Sequence, residues 1–157
     1  MEINSQFKIK ISGQDSYLIC TKFRAMECLH FITRVIKLLP EKHEVSFFSR
    51  SIAEAIIMKI MDTGIDIPLN EEQKKEYKNL VLDQDYFALL FRTAYINADE
   101  YEQNYLSNEL LRLFLYNNQQ IDEETKNLIF SNMKVLFSAM LHAIRYNYNS
   151  FFIIDEN

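Results

Sequence analysis

Asp122-Glu123-Glu124-Thr125-Lys126-Asn127-Leu128-Ile129-Phe130-Ser131-Asn132-Met133-Lys134-Val135-Leu136-Phe137-Ser138-Ala139-Met140-Leu141-His142-Ala143-Ile144-Arg145-Tyr146 is the stretch on which the fold turns. Asp122 is an N-cap residue type, and Glu123 and Glu124 follow in the first turn, where acidic groups suit the positive end of a helix dipole. Leu128, Ile129, Met133, Leu136, Phe137, Met140, Leu141 and Ile144 recur at three- and four-residue spacing as one broad apolar stripe. Neither Gly nor Pro interrupts it. The pattern predicts one long central helix from Asp122 to Tyr146, about 35 Å from end to end. An aromatic tail closes it, Tyr146-Asn147-Tyr148-Asn149-Ser150-Phe151-Phe152-Ile153-Ile154.

Upstream, Asn117-Asn118-Gln119-Gln120 reads as a loop, and Leu106, Leu110, Leu111, Leu113, Phe114 and Leu115 before it predict a further helix. Asp83-Gln84-Asp85 opens another, carrying Tyr86, Phe87, Leu89, Leu90, Phe91 and Ala94. Asn70 with Gln73 caps a polar helix reaching about Leu82, and Ser51-Ile52-Ala53-Glu54 matches a capping box for a helix that ends at Gly64. From Arg24 to Leu39 the residues Ala25, Cys28, Leu29, Ile32, Val35, Ile36 and Leu39 form one apolar face, stopped by Pro40. At the start, Phe7-Lys8-Ile9-Lys10-Ile11 alternates with period two, Ser12-Gly13-Gln14-Asp15 supplies a turn, and Tyr17-Leu18-Ile19-Cys20 returns as a second strand. The expected fold is mainly α: a bundle of five to six helices with a short N-terminal β-hairpin packed on it and a long C-terminal helix. It forms a single domain over 1–157, with the hairpin in 1–21, a helical body in 22–120, and the long helix and aromatic tail in 121–157.

Length and composition agree with this reading. A chain of 157 residues buries a sizeable core in one domain. Two Gly and two Pro are too few for the many turns of a sandwich or barrel. The net charge of −5 argues against nucleic-acid binding, which needs clustered Lys and Arg. The charge is uneven, however: eight basic and four acidic residues fall between Lys8 and Arg50, so that segment is +4 and the remainder −9. Cys20 and Cys28 match no zinc spacing, and no apolar run approaches the ~20 residues of a membrane span. The expectation is a cytoplasmic protein with free thiols.

Motifs for chemistry are sparse. Glu27 and His30 form a single Glu-x-x-His pair, half of a di-iron carboxylate motif, and neither His43 nor His142 has a Glu three residues earlier. His142, near the end of the final helix, suits the helix dipole as a partly charged imidazole. No Gly-x-Ser-x-Gly and no glycine-rich phosphate loop is present. We therefore expect no enzyme, no catalytic residue, no metal and no cofactor. Two nonenzymatic features stand out. Phe151-Phe152-Ile153-Ile154 is a bare apolar run, and Met26, Met58, Met61, Met133 and Met140 are residues suited to an adaptable apolar groove.

The ends of the chain carry a resemblance. Phe7-Lys8-Ile9-Lys10-Ile11-Ser12-Gly13-Gln14-Asp15-Ser16-Tyr17, then Phe23-Arg24-Ala25-Met26-Glu27-Cys28-Leu29 and Leu38-Leu39-Pro40, and finally the run from Leu136 to Phe152, with its Asn and paired Phe, cover under half of the sequence. In that order they resemble the opening hairpin, first helix and closing helix of the phage tail assembly chaperone family. The resemblance implies a nonvirion cytoplasmic chaperone of phage or prophage tails. It would bind the tape-measure protein and recruit tail-tube subunits. The candidate partner-binding residues at those ends are Phe7, Ile9, Ile11, Tyr148, Phe151, Phe152, Ile153 and Ile154, and self-association is an expected corollary. The alternative of another class is a helical immunity or regulatory module, a viral Bcl-2-like protein that binds a helix in a groove.

Overall fold

The structure, a computed structural model, describes residues 4–39, residue 71 and residues 86–148. The capping box at Ser51, the polar helix except Glu71, and the run Phe151 to Ile154 lie outside the described residues. Within them, a mainly helical chain carries a four-stranded antiparallel sheet. The elements are β1 (Gln6–Ile11), β2 (Gln14–Cys20), α1 (Ala25–Lys37), α2 (Tyr86–Asn97), α3 (Glu100–Leu111), β3 (Phe114–Tyr116), β4 (Gln119–Gln120), α4 (Glu123–Ile129) and α5 (Met133–Tyr148).

The opening hairpin forms as its alternation predicts. Ile11 pairs with Gln14 across a two-residue turn, Ser12 and Gly13, whose φ angles of 51° and 80° match the right-handed twist of the flanking strands. Odd-numbered β1 residues face the helices: Ile9 is buried, and Phe7 and Ile11 are half-buried against the core. Lys8 and Lys10 point to solvent.

The sheet has two strands more than expected. Helix α3 stops at Leu111, and Phe114-Leu115-Tyr116, expected as helix, extends alongside β2, with Cys20 opposite Phe114 and Ile19 opposite Leu115. The stretch expected as a loop is a second two-residue hairpin turn: Asn117 and Asn118 hold φ of 51° and 63°, and Gln119–Gln120 returns as β4. Thr21 fixes the junction through its backbone N–H and its hydroxyl, which both donate to the Leu113 carbonyl at 2.9 and 2.7 Å. Pairing with a distant strand overrides the apolar run's helical spacing here.

The central helix is also corrected. Asp122 does cap a helix, accepting from the Thr125 N–H at 2.7 Å, but α4 ends at Ile129. Helix α5 leaves at 106° to it. Ser131 and Asn132 make the break. The Ser131 hydroxyl reaches back to the Leu128 carbonyl, and Asn132 caps α5 by accepting from the Lys134 N–H at 2.8 Å. The elbow splits the apolar stripe. Met140 and Ile144 are buried, whereas Leu128 is 64% exposed and Met133 73%.

Helix α1 is turned relative to its expected face. Phe31 is buried together with Ile32, Val35 and Ile36, while Ala25 is exposed and Leu29 is 38% exposed. The buried side of α1 meets α2, which also packs on α3 and α5. Phe31 lies between Phe91 and Tyr148, stacked on each at 6.4 Å between centroids, and Phe87 lies 5.1 Å from Tyr148. Aromatic pairs at such spacings add ~0.5–1.5 kcal/mol each beyond burial. This aromatic centre joins α1, α2 and α5.

Candidate functional site

Among the described residues the sheet has two edge strands, the short β4 and the six-residue β1. Cys20 donates to the Ser5 carbonyl at 2.7 Å, and the register then makes 5/20, 7/18, 9/16 and 11/14 the hydrogen-bonded pairs of the hairpin. The main-chain N–H and C=O groups of Lys8 and Lys10 therefore point away from β2. Gln6 shares that orientation, but its N–H is taken by the Asn4 side chain at 3.0 Å.

Beside this edge runs a channel of about 500 Å³ between β1 and the elbow of α4 and α5. Phe7 and Ile9 form one side, and Leu128, Ile129 and Val135 the other. Lys8, Lys10 and Lys134 stand around it, and Ser131, Asn132 and Ser138 supply neutral polar groups. Among the described residues no carboxylate lines it. Lys8 is balanced by a solvated ion pair with Asp15 at 3.3 Å, whereas Lys10 and Lys134 form no ion pair among the described residues. The N-terminal end of α5 adds positive potential at the Asn132 end. In a chain of net charge −5 this is a locally cationic, apolar-walled groove at a strand edge.

A second groove of about 500 Å³ is lined by His30, Thr33, Arg34, Lys37, Glu102 and Tyr105, with Leu38. Its cationic centre is engaged. Arg34 holds both Glu102 carboxylate oxygens, at 2.8 and 2.9 Å, and stacks 4.0 Å from the Tyr105 ring centroid. Hydrogen bonding to Glu102 raises the guanidinium pKa further above its ordinary value. Glu27 of the Glu-x-x-His pair is likewise committed, accepting from the Arg24 N–H at 3.1 Å and from Arg112 at 2.7 Å. Among the described residues no group of three or more His, Cys, Asp or Glu is placed to hold a metal ion.

The reactive side chains are held neutral. Burial pushes the Cys20 thiol up to about 12 and raises Cys28 as well, so both stay protonated near neutral pH. His142 is not the charged dipole partner expected. It packs against Phe7 at 5.4 Å and Phe114 at 6.3 Å, and burial lowers its pKa, so the imidazole is neutral beneath the sheet. Its Nε2 is buried and makes no hydrogen bond among the described residues.

The expected partner-binding residues occupy unlike places. Tyr148 is completely buried, its hydroxyl donating to the Cys28 carbonyl at 2.8 Å, and it serves as the aromatic centre of the core, with no surface to offer a partner. Ile9 is buried too, and Ile11 is half-buried. Phe7 and Ile9 do border the channel. Phe151, Phe152, Ile153 and Ile154 lie outside the described residues. Sequence reading missed the lysines beside the channel and the apolar elbow. The lysine signal was present in the polar half of Phe7-Lys8-Ile9-Lys10-Ile11, since the residues alternating with a buried set lie on the solvent face.

No family model, curated protein sequence or solved structure matches the chain. Among the described residues no single helix is long and apolar enough to cross a membrane.

Proposed function

We infer that the chain is a nonenzymatic assembly chaperone of phage or prophage tails, acting in the host cytoplasm. It binds the apolar helices of the tape-measure protein before tail-tube subunits replace it. The supporting observation is the elbow. Leu128 and Met133 flank the break between α4 and α5 and stand in water at 64% and 73% exposure, although both belong to an apolar stripe that is half-buried at Leu136, Phe137 and Leu141 and buried at Met140 and Ile144. Exposed leucine and methionine, the latter able to adapt its shape, suit the apolar face of a helical client. Met26, 62% exposed on α1, and the neighbouring Leu29 offer a second surface of the same kind. The order of hairpin, first helix and closing helix, which resembles the tail chaperones, supports the choice of client.

Coexpression with the tape-measure protein of the same tail gene cluster tests the reading. Wild-type protein is expected to keep that client in solution and to co-purify with it. A Leu128→Ser/Met133→Ser variant, with unchanged circular dichroism, is expected to lose it. If the wild type neither solubilises nor retains the client, the reading fails.

A further inference from the structure

The geometry points to the channel beside β1 as a binding site for an extended peptide, added to the sheet as a fifth strand, with apolar residues at alternate positions and carboxylates between them. Three observations carry the assignment, none of them dependent on the chaperone reading. First, β1 is an edge strand whose Lys8 and Lys10 main-chain groups project from the sheet with no partner among the described residues. Such a row of donors and acceptors is complementary to another extended backbone and to little else. Second, the space beyond that edge is a channel of about 500 Å³ walled by Leu128, Ile129 and Val135, not open solvent.

The third observation specifies the occupant. Side chains of neighbouring strands lie flush on the two faces of a sheet, so an added strand inherits the alternation of β1. Its residues on the face of Phe7 and Ile9 enter the channel and meet apolar side chains. Its residues on the other face come beside Lys8 and Lys10, where only opposite charge is favourable. Lys134, from α5, adds a third cation; Asp15 holds Lys8 only in a solvated pair at 3.3 Å, and among the described residues no carboxylate lines the channel. The pattern of β1, apolar facing in and lysine facing out, thereby selects a strand that is apolar facing in and acidic facing out. Lysines on a bare edge ordinarily deter pairing between copies of one chain. Here they leave an acidic strand as the complementary occupant.

The test uses the full chain and a fluorescein-labelled peptide of about eight residues with alternating valine and glutamate, long enough to cover a strand of ordinary length. Saturable binding that weakens with added salt is expected. A peptide of alternating valine and lysine should bind at least about tenfold more weakly, a loss of ~1.4 kcal/mol. Methylation of the peptide nitrogens that face β1 should have the same effect, because it removes hydrogen-bond donors while leaving every charge in place. Lys8→Glu/Lys10→Glu should reverse the preference between the two peptides. Ser138→Tyr, an exposed position beside the channel, should block it without touching the core. The proposal is overturned by absence of saturation up to about 1 mM, the weak end of specific binding. It is equally overturned if the N-methylated peptide binds as well as its parent, since attraction would then be charge alone. A dimer that Lys8→Glu/Lys10→Glu dissociates, and that excludes the peptide, would make a second copy the occupant and overturn it as well.

Discussion

The side-chain oxygen of Asn147 accepts a 2.8 Å hydrogen bond from the backbone N–H of Phe23, across a sequence separation of 124 residues. The same amide donates to the Ala143 carbonyl at 2.9 Å and reaches the Thr21 carbonyl at 3.4 Å. One buried polar side chain thus holds the link between the hairpin and α1 against the last turn of α5. Lys22 reinforces it from outside, donating to the Tyr146 carbonyl and lying 3.9 Å from the centroid of that residue's ring. Asn147→Ala leaves the Phe23 N–H buried without its partner, and the expected loss is ~1–3 kcal/mol. Urea unfolding measures it. A loss under ~0.5 kcal/mol would mean that water replaces the amide without cost.

Tyr148 separates packing from hydrogen bonding. Tyr148→Phe removes the hydroxyl, with its bond to the Cys28 carbonyl, and keeps the ring, at an expected cost of ~1 kcal/mol. Tyr148→Ala opens a cavity among Phe23, Phe31 and Phe87 and should cost ~3–5 kcal/mol. Equal losses in the two variants, by chemical denaturation, would contradict the central position of the ring.

The elbow predicts a sharp contrast within one apolar stripe. Met140→Ala, at a fully buried site, should lose ~2–5 kcal/mol. Met133→Ala, in solvent, should stay within ~0.5 kcal/mol of wild type. Asn132→Ala should cost ~0.5–2 kcal/mol through loss of the α5 cap. A continuous helix through residues 122–146 would instead tolerate Asn132→Ala or gain from it, because alanine is the better helix former.

Acidification should weaken the fold through His142. Burial is the main cause lowering its folded-state pKa, the Arg145 charge lowers it further, and a hydrogen bond with the Asn4 backbone opposes them. The unfolded chain therefore takes up this proton at higher pH than the folded one, and stability rises with pH wherever the unfolded state binds more protons. The contribution is fully present above the unfolded value near 6.5 and declines as pH falls from there toward the depressed folded value. Urea midpoints compared at about pH 7.5 and pH 5.5 should fall further for wild type than for His142→Leu, which has no imidazole to titrate. Parallel losses in the two proteins would assign the effect to other groups.

Much of this architecture could be read from residues close together in the chain. The turn at Ser12-Gly13, the alternation of β1, the Asp122 cap and the buried set Met140 and Ile144 each follow from a few neighbouring positions. Phe114-Leu115-Tyr116 did not, because its strand state depends on β2 and its spacing suits either element. Its true signal was Asn117-Asn118, a residue type that tolerates positive φ, doubled at the centre of a hairpin. Ser131-Asn132 was likewise a stop and a start inside a periodic pattern, since a 3.6-residue period can survive a bend while the helix does not. The channel needed the second of these corrections to be seen. Its outer wall exists only because α5 turns away from α4, bringing Leu128 and Val135 opposite β1.

The pairing of Cys20 with Phe114 also bears on how the chain emerges from a ribosome. The hairpin is made before its sheet partner, yet a lone hairpin is at best marginally stable in water. Its sheet partner β3 comes 94 residues after Cys20, counted from 20 to 114, and its anchor Asn147 lies 124 residues beyond Phe23. The apolar face of Phe7, Ile9 and Ile11 must therefore wait for its native cover, which includes Phe114 and His142. Pairings across such separations raise contact order and slow the route to the native state. A nascent chain stopped before residue 113 lacks the third strand and the whole of α5, so native structure is expected to be acquired late and nearly all at once.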